Sequence, residues 1–212
     1  MRIYAVADIH GRPDRVALIR KNILKLKPDV LVVAGDITRF TGPAPVISRL
    51  NDMPVPVLAV RGNTDLARVE GLFERFSNIY PLHLKEVIIQ DIRFVGLSGT
   101  LPLPFSSRIC VREADTIKKL TPLLNKNSIL VAHPPPRGTL DQVLGRFHAG
   151  CRRLKEIVFT IQPKLMICGH IHEKPGTAFV GNTRIVNCSI GRSGGGAVVD
   201  VDTDRVSRVE MI

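Results

Sequence analysis

Short apolar runs without alternation recur through the first third of the chain: "RIYAVA" at 2–7, "DVLVVA" at 29–34 and "VPVLAV" at 55–60. A strand covered on both faces needs such a run, because neither face meets water. Between the first two lies "RPDRVALIRKNILKLK", with apolar residues at 16, 18, 19, 23, 24 and 26, the spacing of one helix face. "GPAPVISRLNDM" separates the second and third runs, and "LARVEGLFERF" follows the third. Strand, helix, strand, helix in succession predicts a parallel sheet with right-handed crossovers.

From about 79 to 99 the pattern changes, and "EVIIQDIRFVGLSG" predicts two strands around a turn at Gln90-Asp91. Helical spacing returns at 108–124. The strand "SILVAH", a Pro/Gly-rich loop, a helix near 150–161 and the strand "KLMICGH" follow. The tail predicts three or four short strands, broken by "GN" at 181–182 and "GRSGGG" at 191–196. With no helix pattern after it, "GRSGGG" reads as a hairpin turn and not as a phosphate loop. No linker, low-complexity stretch or fixed-period repeat divides the chain, so one domain spanning 1–212 is expected.

Composition alters this little. Hydrophobic residues at 44% and charged residues at 23% are ordinary for a globular protein, and 212 residues suffice for a substantial core. Aromatics at 5% and the lack of Trp argue against a base-stacking surface. Net charge says more. At +11, the chain suits anionic partners (phosphorylated metabolites, nucleic acid or an acidic protein surface), although the same excess also serves general solubility. Four scattered cysteines form no CxxC pair, as expected of reduced thiols in a cytoplasmic protein. The N-terminus has too short an apolar core for a signal peptide, and no apolar run approaches the roughly 20 residues of a membrane span.

The chemistry collects where the strong strands end. Asp8 and His10 follow "RIYAVA", Asp36 follows "DVLVVA", and Asn63 follows "VPVLAV". "SILVA" ends in His133, and "KLMIC" in Gly169-His170-Ile171-His172. In open α/β sheets the carboxyl ends of strands form the crevice where ligands bind. Two imidazoles one residue apart suit a shared ligand, or a half-exposed strand with none. Carboxylate, imidazole and a neutral amide oxygen together suit borderline cations such as Mn²⁺, Fe²⁺ or Zn²⁺. Two cations about 3.5–4 Å apart, sharing a carboxylate and a hydroxide, are an arrangement used for phosphoryl hydrolysis.

The ordered series "DIHG" (8–11), "GDI" (35–37), "GNTD" (62–65), "AHPPP" (132–136) and "GHIH" (169–172) resembles the calcineurin-like metallophosphoesterase superfamily, in particular its small bacterial and archaeal phosphodiesterase branch. The resemblance implies an α/β fold, a four-layer αββα sandwich with a dinuclear metal site at the C-terminal strand ends. One divalent ion (Mn, Fe or Zn) would take Asp8, His10, Asp36 and His172. The second would take Asp36, Asn63, His133 and His170, with Asp36 as the bridge. The implied reaction is hydrolysis of a P–O bond in a small phosphorylated substrate by a metal-bridging hydroxide. Asp36, Asn63 and His133 would thus be catalytic as well as ligating.

One position departs from the pattern. Where most members carry a His that protonates the leaving alkoxide or contacts the phosphate, this chain has Thr64. A threonine hydroxyl is no general acid near neutral pH, so diesters and other substrates with good leaving groups are expected. His148 and His83 could replace the missing acid. His148, in a loop-to-helix stretch downstream of His133, ranks first, and His83 is expected away from the site. Substrate contact is assigned to Asn63, Thr64, Arg12 and Arg137, with Arg39 and Arg61 as weaker candidates; Glu173, on the strand-exit loop, is expected to support the ligands from behind, and Cys168 to be a buried strand residue. Specificity is expected from loops near 39–45, 100–108 and 134–150. Two alternative readings stand beside the phosphodiesterase: a nuclease acting on polynucleotides, and a non-catalytic protein-interaction scaffold of the same fold.

Overall fold

A computed structural model describes residues 1–40, 42–99, 110, 112–192 and 194–212. The first half comprises β1 (Arg2–Val6), α1 (Pro13–Leu26), β2 (Val30–Ala34), α2 (Ala44–Asn51), β3 (Val57–Val60), α3 (Arg68–Phe73), β4 (Ile79–Pro81), β5 (Glu86–Ile89) and β6 (Ile92–Leu97). The second half comprises α4 (Glu113–Leu120), a 3-10 turn (Thr121–Leu123), β7 (Ile129–Ala132), β8 (Gln142–Val143), β9 (Phe147–His148), α5 (Arg152–Ile161) and β10 (Leu165–Cys168). The strands β11 (Gly176–Val180), β12 (Thr183–Asn187), β13 (Ala197–Val201) and β14 (Val206–Met211) complete it.

Two six-stranded sheets form, ordered β14-β13-β1-β2-β3-β4 and β11-β12-β10-β7-β6-β5. The run β1 to β4 is parallel, as is the run β6-β7-β10-β12, and antiparallel strands close every edge but the one at β4. The unbroken apolar runs follow from this geometry. In β2 every residue is buried, with Val30, Val32 and Ala34 facing the second sheet and Leu31 and Val33 facing the helices. The space between the sheets is filled by Ile3, Val32, Leu58, Phe94, Val131 and Ile167 among others. Helices α1, α2 and α3 cover the outside of the first sheet through Ile19, Ile47 and Phe73. Helices α4 and α5 cover the second through Leu120, Leu154 and Val158. These are the four layers expected.

Local chemistry sets the ends of the elements. Helix α1 starts on Pro13, whose missing N–H costs nothing in a first turn, and stops at Lys27 in the left-handed conformation (φ 49°), whose N–H bonds the Ile23 carbonyl. The β5–β6 hairpin turns at Gln90 and Asp91 with φ of 46° and 62°, the backbone of a two-residue primed turn.

Three local expectations change. "GRSGGG" is not a hairpin turn: it lies between β12 in the second sheet and β13 in the first, so it joins the layers. The helical segment is shorter than 108–124, ending at Leu120 before the 3-10 turn at Pro122, and the expected specificity loop 100–108 lies outside the described residues. His148 sits on β9 of a small hairpin within the Pro/Gly-rich loop, not on a plain loop-to-helix stretch.

Candidate functional site

The five strand-exit segments meet at one edge. Asp8, His10, Asp36 and His170 all adopt left-handed backbone conformations, with φ of 65°, 52°, 51° and 68°. That conformation costs an L-residue about 1–2 kcal/mol, less for Asp, and four such residues in one place mark a site whose surroundings hold them there. The turns are tied to each other: the Asp8 N–H bonds the Gly35 carbonyl at 3.0 Å, and the His10 N–H bonds the Asp36 carbonyl at 2.8 Å.

The side chains form two adjoining groups. In one, His172 Nε2 lies 3.2 Å from Asp8 Oδ1 and 3.4 Å from His10 Nε2. In the other, His133 Nε2 lies 3.4 Å from Asp36 Oδ1 and 3.1 Å from Asn63 Oδ1, and His170 Nδ1 lies 3.0 Å from the same Asn63 oxygen. Asp36 reaches both ways, its Oδ2 standing 3.8 Å from His10 Nε2. Ligand atoms of Asp8, His10 and His172 all lie within 4.8 Å of one another, and so do those of Asp8, Asp36 and His133. Asp36 was the expected bridge; of the two carboxylates it is Asp8 that belongs to both three-residue groups, and Asp36 belongs to the second.

This donor set fits divalent cations. Ligand bonds of about 2.0–2.2 Å place neighbouring ligand atoms roughly 3–4 Å apart, the spacing seen here. The Ala34 carbonyl can only accept, so His133 Nδ1, 2.8 Å away, carries the ring hydrogen and leaves Nε2 to face two oxygens. Asp8 and Asp36 are 0% and 2% exposed, and among the described residues no Lys or Arg side chain bonds either carboxylate. Buried carboxylates facing imidazole lone pairs need positive charge between them.

Without a cation, protons take that part. Burial alone would push His133 down, but Asp36 and then Asp8 outweigh it and raise its pKa to about 9. Burial likewise favours a protonated Asp36, yet His133 and the Thr64 N–H hold its pKa well below the usual carboxylate range. His170, buried beside charged His133, is pushed down to about 4.

Neighbouring groups hold the frame. Asp65 is buried and accepts from four donors that flank the site: Ile37 N (3.0 Å), Thr38 N (2.7 Å), Thr38 Oγ1 (2.7 Å) and Gly62 N (2.9 Å). Its carboxylate ties the "GDI" turn to the "GNTD" turn. Thr64 donates its N–H to Asp36 Oδ1 at 2.8 Å and its hydroxyl to the Thr38 carbonyl at 3.0 Å. A Cβ on Gly62 would fall 2.1 Å from Asp36 Oδ1, so only glycine lets that carboxylate lie across the turn. A Cβ on Gly191 would fall 2.5 Å from the His172 ring, which gives "GRSGGG" a role in the site. Arg15, which sequence reasoning missed, donates to the Asp8 carbonyl at 2.6 Å and to the Gly191 carbonyl, pinning the β1 exit to that segment.

The remaining candidates each have partners of their own. Arg12 is exposed and paired with Asp14 at 2.9 Å. Arg39 donates to the His10 carbonyl at 3.1 Å, next to the cluster. Arg61 is mostly buried beside Glu70 at 3.3 Å, and Glu173 pairs with Arg192 at 2.9 Å. Arg137 donates to the His148 carbonyl at 2.9 Å, and His148 Nδ1 lies 2.7 Å from the buried Asp141. His83 accepts from the Ser98 N–H at 3.0 Å. Cys168 is fully buried at the end of β10, and all four thiols are free.

An αββα sandwich with clustered Asp, His and Asn at its strand exits defines a phosphoesterase-type fold with a candidate metal centre. The chain belongs to the calcineurin-like phosphoesterase family, whose profile matches residues 1–174. It is 32% identical over 198 residues to MJ1162 of Methanocaldococcus jannaschii, covering 89% of this chain and 88% of that one. Among solved structures it resembles a dimetal phosphatase from Danio rerio (TM-score 0.64, 13% identity, 100% and 95% covered). It also resembles an archaeal phosphodiesterase (TM-score 0.60, 13% identity, 100% of both chains). The family supports a metal-dependent phosphoester hydrolase. No helix among the described residues is long and apolar enough to cross a membrane.

Proposed function

We propose that this hydrolase is a phosphodiesterase acting on small substrates with good leaving groups, in preference to alkyl monoesters. The observation that carries the reading is Thr64: its single hydroxyl proton is directed to the Thr38 carbonyl, so this position offers a leaving alkoxide no proton. Asp8, His10, Asp36 and His172 would hold one divalent ion, and Asp36, Asn63, His133 and His170 the other, Mn²⁺ being the first choice. Bound divalent cations supply Lewis-acid charge and acidify a water. The chain itself fixes the ligand nitrogens: the Ala34 carbonyl sets the His133 tautomer, and Asp65 sets the spacing of the two turns. Arg12 and Arg137 are assigned to substrate anion contact, and His148, oriented by Asp141, to any remaining proton transfer. The free thiols support a reducing, cytoplasmic setting. The test is turnover with Mn²⁺ on bis(p-nitrophenyl) phosphate against alkyl phosphomonoesters. Diester cleavage faster by tenfold or more is expected, and equal rates would refute the preference.

A further inference from the structure

Asn63 is the one neutral oxygen among the seven candidate ligands, and its side chain has no anchor of its own. Its Oδ1 faces His133 Nε2 at 3.1 Å and His170 Nδ1 at 3.0 Å, and its amide nitrogen bonds nothing among the described residues. A neutral oxygen draws a cation weakly, so it contributes only where the backbone has already placed it. The turn that carries Asn63 is bracketed from both ends. Asp65 reaches back with Oδ2 to the Gly62 N–H at 2.9 Å, and Arg61 reaches forward with Nη1 to the Asp65 carbonyl at 3.1 Å. Arg61 Nε stands 3.3 Å from Glu70 Oε2 on α3, so its charge is balanced within the protein.

The bracket is in turn fixed to the second sheet. Ser98 Oγ accepts the Arg61 N–H at 2.9 Å, and the Gly99 N–H donates to the Arg61 carbonyl at 2.8 Å. Both residues follow directly on β6, in the sheet whose strands β7 and β10 end at His133 and His170. Ser98 is buried and is itself held, its N–H donating to His83 Nδ1 at 3.0 Å. Asp36 and Asn63 stand at strand exits of the first sheet, so ligands of the second cation come from both sheets. We infer that Ser98 and Arg61 are positioning residues for that cation, acting through Asn63 and leaving the other cation untouched. The inference rests on the two-cation reading and assigns the link that sets the spacing between the two halves of one site. A backbone N–H that loses its acceptor inside a fold is costly, so without the Ser98 hydroxyl the end of β3 shifts to find another partner. The Asn63 oxygen shifts with it.

Calorimetric titration of Mn²⁺ into the full chain reads the two cations one at a time. H172A lacks a ligand of the first cation only and reports the second; H170A lacks a ligand of the second only and reports the first. Adding S98A to H172A is expected to weaken Mn²⁺ binding about tenfold, and adding it to H170A to leave the affinity unchanged. In the H172A chain, R61M is expected to match S98A. R61K, which keeps a charged donor for the Asp65 carbonyl, is expected to bind as H172A alone does. Equal losses in both backgrounds would make Ser98 a support of the fold alone and overturn the inference, as would an unaltered affinity on adding S98A to H172A. If the wild-type chain takes up fewer than one equivalent of Mn²⁺, the two-cation reading fails first and the inference falls with it.

Discussion

Replacing Asp65 with Asn tests how the site is built. The two carboxylate oxygens share four donors evenly: Oδ1 takes the Thr38 N–H and hydroxyl, and Oδ2 takes the Ile37 and Gly62 N–H groups. Asn has the same shape but one acceptor oxygen. The NH₂ can face Thr38, whose hydroxyl then reverses and accepts, so the Thr38 N–H is left without an acceptor in a buried place and the other bonds fall on a neutral amide. At roughly 1.5–3 kcal/mol for a bond to a charged acceptor, the loss is about 1.5–3 kcal/mol, a sizeable part of a typical stability of about 5–15 kcal/mol. The expected fall in Tm is roughly 3–12 °C for a chain of this size. Because the four donors flank Asp36 and Asn63, Mn²⁺ affinity should also fall by about 10–100-fold. Urea titration and calorimetry of D65N measure both. A variant within about 1 kcal/mol of wild type, binding Mn²⁺ equally well, would refute the reasoning.

Four further outcomes follow from the same geometry. The metal-free protein should be most stable near pH 6.5. The stabilisation from His133, whose folded pKa of about 9 exceeds its unfolded value, is lost as pH rises toward 9. That from His170, held at about 4, is lost as pH falls below 6.5, and that from Asp36 only at more acid pH. Thermal melts across pH check this, and Mn²⁺ titration at pH 7.5 should release at least about one proton, because a ligating imidazole must be neutral. Gly191→Ala drives a methyl to within 2.5 Å of the His172 ring and should cost about 1–3 kcal/mol with weakened Mn²⁺ binding, read by denaturation and calorimetry. Thr64→His should raise turnover of alkyl esters by about 10²-fold or more while changing nitrophenyl esters little, measured as kcat on each.

The parallel strands and the gathering of the seven strand-exit residues were legible because both rest on local signals, whereas the four-layer sandwich came from the family resemblance. β1, β2 and β3 are unbroken apolar runs, and each chemical residue stands directly after one. β4 was missed because Ile79–Pro81 is three residues long and only its first is buried. The β8–β9 hairpin was missed because Phe147 and His148 are exposed and carry no periodic pattern. "GRSGGG" was misread because glycine-rich composition is the same in a hairpin and in a crossing between sheets; only long-range pairing tells them apart. The parts of Asp65, Arg15 and Gly191 were illegible for a related reason. Each acts on backbone or ring atoms far away in sequence, and nothing in its neighbours announces the partner.

Side chains from five segments are proposed to hold two divalent ions with Asp36 between them. Equilibrium dialysis against Mn²⁺ followed by metal analysis tests it most directly. Two equivalents per chain are expected for the wild type, and no more than one for D36N, with turnover lost. Fewer than one equivalent in the wild type, or two equivalents and undiminished turnover in D36N, would contradict the account.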